Sequence, residues 1–194
     1  QETRTCHLYW HEEFLKRNRH RPRQSWKYDA VRFAYKSYAI AQACHEWGTE
    51  YDRLLWLDAD CVFLEEITEA WITDELYREH TAMTYFGRPQ YHPETGVMLF
   101  NLNMNLAWQL IAELKQRYDT DQVYLEQEWH DAWIWQQIIK EHDPKLFYNR
   151  SEHLKGKVPG GHVINACIGN RIDHRKGSRK QLKRSPEGPS NEDL

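Results

Sequence analysis

The feature that most constrains the fold of this chain is a short apolar run, residues 54–57 (Leu-Leu-Trp-Leu), that ends at Asp58-Ala59-Asp60. A charged segment precedes the run, and four consecutive apolar side chains put apolar groups on both faces of an extended strand. Such a strand is typical of a parallel sheet that helices cover on both sides. The run therefore predicts a buried strand with an acidic carboxyl end.

Strand-like and helical patterns alternate along the rest of the sequence. The other runs that we interpret as strands are 6–10, 82–86, 96–100 and 146–148. Apolar residues recur at helical spacing in the segments 28–47, 68–80, 103–118 and 131–142. This alternation predicts an α/β fold with a mostly parallel sheet flanked by helices. Ligands of such open sheets bind beyond the carboxyl ends of the strands, which directs attention to Asp58 and Asp60.

Length and composition fit one soluble domain. A chain of 194 residues with 40% hydrophobic residues can bury a single sizeable core. We assign residues 1–184 to that domain and the polar residues 185–194 to a disordered tail. The net charge of −3 is small, so no nucleic-acid partner is expected. Because no apolar run approaches ~20 residues, we expect no membrane span and a cytoplasmic location, or the Golgi or secretory lumen if an upstream segment directs the chain there.

Asp58 and Asp60 stand two residues apart at the end of the first apolar run. In an extended chain such residues point to the same side, so both carboxylates can approach one ligand. Carboxylate oxygens suit Mn²⁺ or Mg²⁺, especially a cation that also binds diphosphate oxygens. Aspartates after a strand can instead cap a turn. The apolar residues on both sides of the pair favour the functional interpretation.

Three segments of the chain resemble glycosyltransferases with the GT-A fold. They are the Asp-x-Asp segment 54–60, the helix that carries Asp29, Arg32 and Lys36, and the segment 94–101 (Glu-Thr-Gly-Val-Met-Leu-Phe-Asn). The resemblance implies a Rossmann-like sheet, a nucleotide-diphosphate sugar as donor, a carbohydrate or other hydroxyl acceptor, and a Mn²⁺ or Mg²⁺ ion. It implies that Asp58 contacts the donor ribose or a metal-bound water, and that Asp60 binds the metal that bridges the diphosphate.

The predicted helix 28–47 carries Asp29, Arg32 and Lys36 at positions i, i+3 and i+7, so these residues share one face. By pattern alone, this is an ordinary solvated face with an Asp–Arg pair. The resemblance implies that Arg32 or Lys36 reaches the phosphates or the sugar of the donor. We take Arg32 as the better candidate of the two.

Glu94 and Gly96 precede the apolar strand 96–100. A glycine at this point would let the backbone approach a sugar closely. The resemblance implies that this stretch lines the pocket for the donor sugar and the acceptor. Glu94 is therefore a candidate for hydroxyl recognition or for catalysis, and a plain turn is the alternative.

Asp131 opens the predicted helix 131–142. An aspartate is stabilised there by free N–H groups and the helix dipole, whatever else it does. The resemblance implies that an acidic residue at such a helix start acts on the acceptor or on the transferred sugar. Asp131 is thus the first candidate for the catalytic base, and Glu128 is the second.

Basic residues surround a histidine in the segment 172–180. A basic segment is usually a solvated surface. This one resembles the carboxy-terminal segment of several metal-dependent GT-A families, in which a histidine completes the metal shell and lysines hold the diphosphate. The resemblance makes His174 the third metal ligand, with His162 as its competitor, and assigns the diphosphate to Lys176 and Lys180.

Two other functions stay open on the sequence. A haloacid-dehalogenase-like phosphatase would use Asp58 as nucleophile and Asp60 as acid/base, but that family has its motif on the first strand and needs a second acidic pair downstream. A non-catalytic sugar- or nucleotide-binding domain is the other alternative. A complete GT-A domain usually has an earlier βαβ unit, for which the chain before Cys6 leaves little room, so we expect a domain that lacks this unit through truncation at its amino terminus.

Overall fold

The computed structural model describes residues 9–21, 23–88, 91–151, 163, 166–175 and 180–182. The α-helices of this part of the chain are α1 (Tyr9–Asn18), α2 (Ala30–Trp47), α3 (Glu69–Glu75), α4 (Asn105–Asp119) and α5 (Asp131–Glu141). Its strands are β1 (Arg53–Leu57), β2 (Cys61–Phe63), β3 (Met83–Arg88), β4 (Tyr91–Asn101), β5 (Phe147–Asn149) and β6 (Ile172–His174). None of these helices is long and apolar enough to cross a membrane.

Four strands form one mixed sheet in the order β1-β4-β3-β5. The expected α/β class is confirmed, but the expectation of mostly parallel pairing is wrong. β4 pairs antiparallel with both β1 and β3, and β3 pairs parallel with β5. The reason is a tight reversal between β3 and β4 that leaves Arg88 opposite Tyr91, because two strands joined this closely can only run antiparallel. Strands β1, β3 and β5 therefore point one way, and β4 runs against them.

The sheet has an apolar core on each face. Side chains alternate along β4, so Met98 and Phe100 enter the larger core, whereas Val97 and Leu99 enter the smaller one. The larger core is filled by α1, α2, α4 and α5 with side chains such as Phe14, Tyr38, Leu110 and Trp135. The smaller core is covered by α3 and by Val163, Ile168 and Ile172. Burying one such large side chain contributes roughly 1.5–3 kcal/mol, so the two cores hold the sheet rigidly in place.

β1 is an edge strand and not the interior strand that its apolar run predicts. In the described sheet its one neighbour is β4, and all five of its residues are half-buried. Both of its faces are nevertheless covered, because Leu54 and Trp56 pack against the larger core while Leu55 and Leu57 pack against the smaller one. The interior strands are β4 and β3, and β4 is buried throughout residues 93–101.

Most of the predicted helices are confirmed, and their ends are set by local hydrogen bonds. Asp29 caps α2 by accepting from the Arg32 N–H, and the Gly48 N–H closes the helix on the Cys44 carbonyl. The strand predicted at 6–10 is wrong where the structure describes it, since α1 begins at residue 9. That helix buries Phe14 in the larger core. Residues 6–8 and the predicted tail 185–194 lie outside the described residues.

Candidate metal centre

Asp58 and Asp60 lie in the turn between β1 and β2, as their place after the apolar run predicts. The Asp58 N–H donates to the Gly96 carbonyl at 2.9 Å, and the Cys61 N–H donates to the Asp58 carbonyl at 2.9 Å. Trp56 Nε1 donates to Asp58 Oδ1 at 2.8 Å. The turn is thereby fixed against β4, and the orientation of the Asp58 carboxylate is set from β1.

His174 reaches the two aspartates from a distant part of the chain. β6 pairs antiparallel with β2 and places His174 opposite Cys61, and the Arg175 N–H donates to the Asp60 carbonyl at 3.0 Å. The buried imidazole directs Nε2 to Asp60 Oδ1 at 2.9 Å and to Asp58 Oδ2 at 3.5 Å. One ligand atom from each of these three side chains lies within 4.8 Å of the others, a group that could hold a metal ion.

The second nitrogen of the His174 ring is held by Glu94. This carboxylate is 1% exposed, and its Oε1 lies 3.1 Å from His174 Nδ1 while also accepting from the Gly96 N–H at 2.8 Å. An ionised carboxylate only accepts, so Nδ1 carries the hydrogen of this bond. Nε2 then faces the aspartates. In the imidazolium it carries a second hydrogen, and in the neutral ring it has a lone pair that can bind a cation. Histidine metal ligands are oriented in this way by carboxylates behind them.

Gly96 makes room for the ring. A Cβ at this position would lie 2.1 Å from His174 Nδ1 and 2.2 Å from its Cε1. The sequence predicts that glycine at this position allows a close approach to the backbone. In the structure a histidine ring makes that approach, and the approach of a sugar stays a prediction. Glu94 lies behind His174 and within 3.8 Å of Arg88, a buried position that gives it an orienting role. Its role in hydroxyl recognition or catalysis stays a prediction.

Lys180 stands beside Asp60, with Nζ 3.1 Å from Asp60 Oδ2. The hydrogen bond with His174 holds the pKa of Asp60 well below its usual range, against the opposing effect of partial burial, and Lys180 adds to the shift. Cys61 lies in the same region, opposite His174. Burial, followed by the charges of Asp58 and Glu94, raises the pKa of its thiol to about 12. The lowered pKa keeps Asp60 ionised, which is the form of a carboxylate that binds a metal ion.

Lys36 extends from α2 between two carboxylates. Its Nζ lies 2.8 Å from Asp58 Oδ1 and 2.7 Å from Asp131 Oδ2, and it donates to Thr95 Oγ1 at 3.0 Å. Burial works to lower the pKa of Lys36, but the charges of Asp131 and Asp58 outweigh it and raise that pKa. The lysine thus stays charged and joins α2 to β1, β4 and α5.

Asp131 is buried at the first position of α5. Its Oδ2 accepts from the Thr95 hydroxyl at 2.7 Å as well as from Lys36. Burial works to raise the pKa of Asp131, but the charge and hydrogen bond of Lys36 outweigh it and lower that pKa. A carboxylate with a lowered pKa is a weak base. The geometry makes Asp131 a partner that positions Lys36, and its role as catalytic base stays a prediction.

The other predicted contacts with the donor are placed differently. Arg32 is exposed, and its guanidinium carbon lies 5.6 Å from the centroid of the Phe33 ring. Of the face shared by Asp29, Arg32 and Lys36, the lysine enters the centre, while Asp29 caps the helix. Lys176 and His162 lie outside the described residues.

Glu128 belongs to a second group of potential metal ligands, together with His92 and His130. Glu128 Oε2 lies 2.7 Å from His130 Nε2 and 3.2 Å from His92 Nε2. His130 Nδ1 accepts the Trp133 N–H at 3.2 Å, however, as the cap of α5. In the neutral ring the hydrogen is then on Nε2, which donates to Glu128 and has no lone pair for a cation. This pattern favours the Asp58, Asp60 and His174 group as the metal centre.

Three residues of the centre are not singled out as functional by the sequence. Thr95 bridges Lys36 and Asp131, Trp56 orients Asp58, and Arg88 approaches Glu94. Thr95 lies inside the segment that resembles the glycosyltransferases, which is a signal that could have found it. The sequence alone predicts a core position for Trp56 and a turn position for Arg88. It does not show which polar atoms these two side chains contact.

No model of a known protein family matches the sequence, and no curated protein matches it significantly. Two carboxylates and one imidazole offer ligands to a hard divalent cation. Lys36 and Lys180 add positive charge beside them, which suits an anionic ligand that binds together with the cation.

Proposed function

We propose that this protein is a metal-dependent glycosyltransferase that moves a sugar from a nucleotide-diphosphate donor to an acceptor hydroxyl. The observation that carries the proposal is the orientation of His174, whose Nδ1 is held by Glu94 while Nε2 lies 2.9 Å from Asp60 Oδ1. Asp60, His174 and Asp58 would hold Mn²⁺ or Mg²⁺. Such ions keep open positions for water and for diphosphate oxygens when the protein supplies only a few ligands.

The proposed reaction is substitution at the anomeric carbon of the donor. The bond from that carbon to the diphosphate breaks as the acceptor oxygen attacks, so negative charge develops on the leaving diphosphate. A bound cation supplies charge stabilisation to the leaving group. Lys180 and Lys36 stand beside the same aspartates and would support the anion, together with the predicted contact from Lys176. Asp131 is the predicted acceptor of the proton if the configuration inverts.

The contacts of Asp58 do not favour the phosphatase alternative, in which this residue is the nucleophile. Asp58 would have to attack phosphorus with a free oxygen. Its Oδ1 is bound by Lys36 and by Trp56 Nε1, and its Oδ2 faces His174. A non-catalytic binding domain would use the same centre and would differ from a transferase only in the absence of turnover.

A panel of UDP-, GDP- and dTDP-sugars tests the proposal, with release of the nucleotide diphosphate followed in Mn²⁺, Mg²⁺ or EDTA. We expect release from at least one donor to require the cation and to fall by at least about tenfold in Asp60→Asn, because an aspartate is lost from the metal shell. The control is Asp52→Asn, which removes an exposed carboxylate just before β1.

Three results would count against the proposal. Release that is indifferent to both cation and Asp60→Asn would overturn it. Tight cation-dependent nucleotide binding without turnover would favour the binding domain. Release of phosphate from para-nitrophenyl phosphate that is lost in Asp58→Asn would favour the phosphatase.

A further inference from the structure

Trp26 presents a half-exposed aromatic ring close to the start of α5. It begins the short 3₁₀ helix Trp26–Tyr28 that precedes α2, and it is 54% exposed. Its ring centroid lies 4.8 Å from that of His130, the residue immediately before Asp131. The Trp129 N–H donates to the Lys27 carbonyl at 2.7 Å, so this segment is fixed next to α5. One large apolar surface is therefore exposed to solvent beside His130, the residue that precedes the predicted catalytic aspartate.

Charged groups lie beside the ring. Lys27 Nζ is 2.8 Å from Glu128 Oε1, and 43% of the lysine side chain is exposed. The same ammonium lies 5.7 Å from the centroid of the Trp26 ring. An ammonium carries three N–H donors, so Lys27 can donate beyond the bond to Glu128. Glu128 itself is 8% exposed, and its Oε2 already contacts His130 and His92.

The polar residues behind the ring are fixed by their own hydrogen bonds. His130 bridges the Trp133 N–H and Glu128 Oε2, and His92 Nδ1 lies 2.6 Å from Gln136 Oε1. Both histidines contact Glu128 Oε2, and Lys27 binds the other oxygen, Oε1. Aromatic surface combined with a few fixed polar groups is typical of sites for small polar ligands.

We propose that Trp26 and Lys27 form the binding surface for a neutral pyranose acceptor, with Glu128 holding the Lys27 ammonium in place, an inference that rests on the proposed transferase function. A pyranose has a face of C–H groups that packs on an indole, and hydroxyls at its edge that both donate and accept. The ring meets the first requirement, and the partly exposed Lys27 ammonium can donate to the hydroxyl oxygens. An acceptor on this surface lies next to the residue that precedes Asp131. The donor base is the competing occupant, because a nucleobase also stacks on tryptophan.

The test measures carbohydrate binding apart from metal and turnover, in the wild-type chain and in Asp60→Asn. The probes are methyl α- and β-glycosides of glucose, galactose, mannose and N-acetylglucosamine, followed by saturation-transfer NMR and titration. We expect at least one glycoside to bind both proteins, and Trp26→Ala to weaken that binding about tenfold, as loss of a stacking surface does. Trp26→Phe should retain part of it. The control is Tyr51→Ala, which removes a ring that is 61% exposed just before β1.

Each other outcome is decisive. Glycoside binding that is equal in wild type and Trp26→Ala overturns the inference, and so does the absence of binding by every probe. Loss of nucleotide binding in Trp26→Ala, with glycoside binding intact, assigns the ring to the donor base and also overturns it. Binding of a glycoside that depends on Trp26, together with a nucleotide-sugar panel that shows no release, refutes the transferase and leaves the carbohydrate site standing.

Discussion

At the scale of single residues, the centre depends on the absence of a Cβ at Gly96. The His174 ring lies directly on this residue, and a Cβ would also come within 2.9 Å of Glu94 Oε1. The backbone cannot retreat, because the preceding and following residues of β4 are buried in the interior of the sheet and Val97 is paired with Leu57 of β1. A side chain at position 96 must therefore move the imidazole away from the aspartates.

Gly96→Ala is expected to weaken Mn²⁺ binding by about 10–100-fold, the range seen when the support of a metal ligand is disturbed. Titration calorimetry on the folded variant measures the change. The control is Gly87→Ala, whose Cβ would meet the side-chain amide of Asn149 at 2.6 Å. That amide is the far end of a side chain and can shift, so Mn²⁺ affinity should be unchanged. An unaltered affinity in Gly96→Ala would show that His174 is not a ligand.

At the scale of elements, one buried ammonium joins four of them. Lys36 reaches from α2 to Asp58 after β1, to Thr95 on β4 and to Asp131 on α5. The lysine side chain is 11% exposed and that of Asp131 is 5% exposed, so solvent screens this pair only weakly. Removing one partner of a buried ion pair leaves the other charge uncompensated, which costs more than the pair itself contributes.

Lys36→Met is expected to lower the free energy of unfolding by about 3–5 kcal/mol. Combining it with Asp131→Asn should cost less than the sum of the two single changes, because the uncompensated charge is then removed as well. Urea denaturation gives all three values. The control is Lys16→Met, whose ammonium pairs with Glu13 on the surface of α1 and is 66% exposed. A surface pair contributes about 0–1 kcal/mol, so equal losses in the two lysine variants would contradict the assigned role of Lys36.

At the scale of the whole molecule, local patterns predict α2, α4 and α5 closely and their assembly poorly. They miss α1, and they extend α3 beyond its observed end at Glu75. α2, α4 and α5 begin and end within two residues of the predicted segments 28–47, 103–118 and 131–142, since spacing and caps act over a few residues. The order of the strands and the direction of β4 depend on contacts between distant residues. Periodicity contains no information about which strands become neighbours.

The candidate site is likewise predicted from the sequence only in part. The place of Asp58 and Asp60 after β1 follows from one contiguous segment. Asp60 and His174 are 114 positions apart and meet because β2 pairs with β6. The resemblance predicts that the two residues share a metal, but the pairing of these strands is not predicted from the sequence. Spacing along a helix also cannot show depth, so Arg32 is preferred to Lys36 on the sequence. In the structure Arg32 is exposed, and Lys36 is buried between carboxylates.

The stability of the molecule in acid is expected to depend on Asp131. Its burial is outweighed by Lys36, and its pKa in the folded chain lies below the ordinary value of 3.8. A carboxyl of this kind stabilises the fold above its ordinary pKa, and the contribution is lost as pH falls through the lowered pKa. The pKa of Lys36 is raised above 10.5, so its contribution is complete below that value and is lost only as pH rises through the raised pKa.

Asp131→Asn should therefore unfold more easily than the wild type at neutral pH. The difference should shrink as pH falls below about 4, because the wild type alone loses the contribution of this carboxylate there. Urea denaturation at a series of pH values from about 7 to about 2 measures both curves. Asp74→Asn, which removes an exposed carboxylate on α3, serves as the control. Wild-type and Asp131→Asn curves that stay parallel down to the lowest pH would mean that Lys36 does not hold this carboxylate charged, and the pairing that joins α2 to α5 would have to be abandoned.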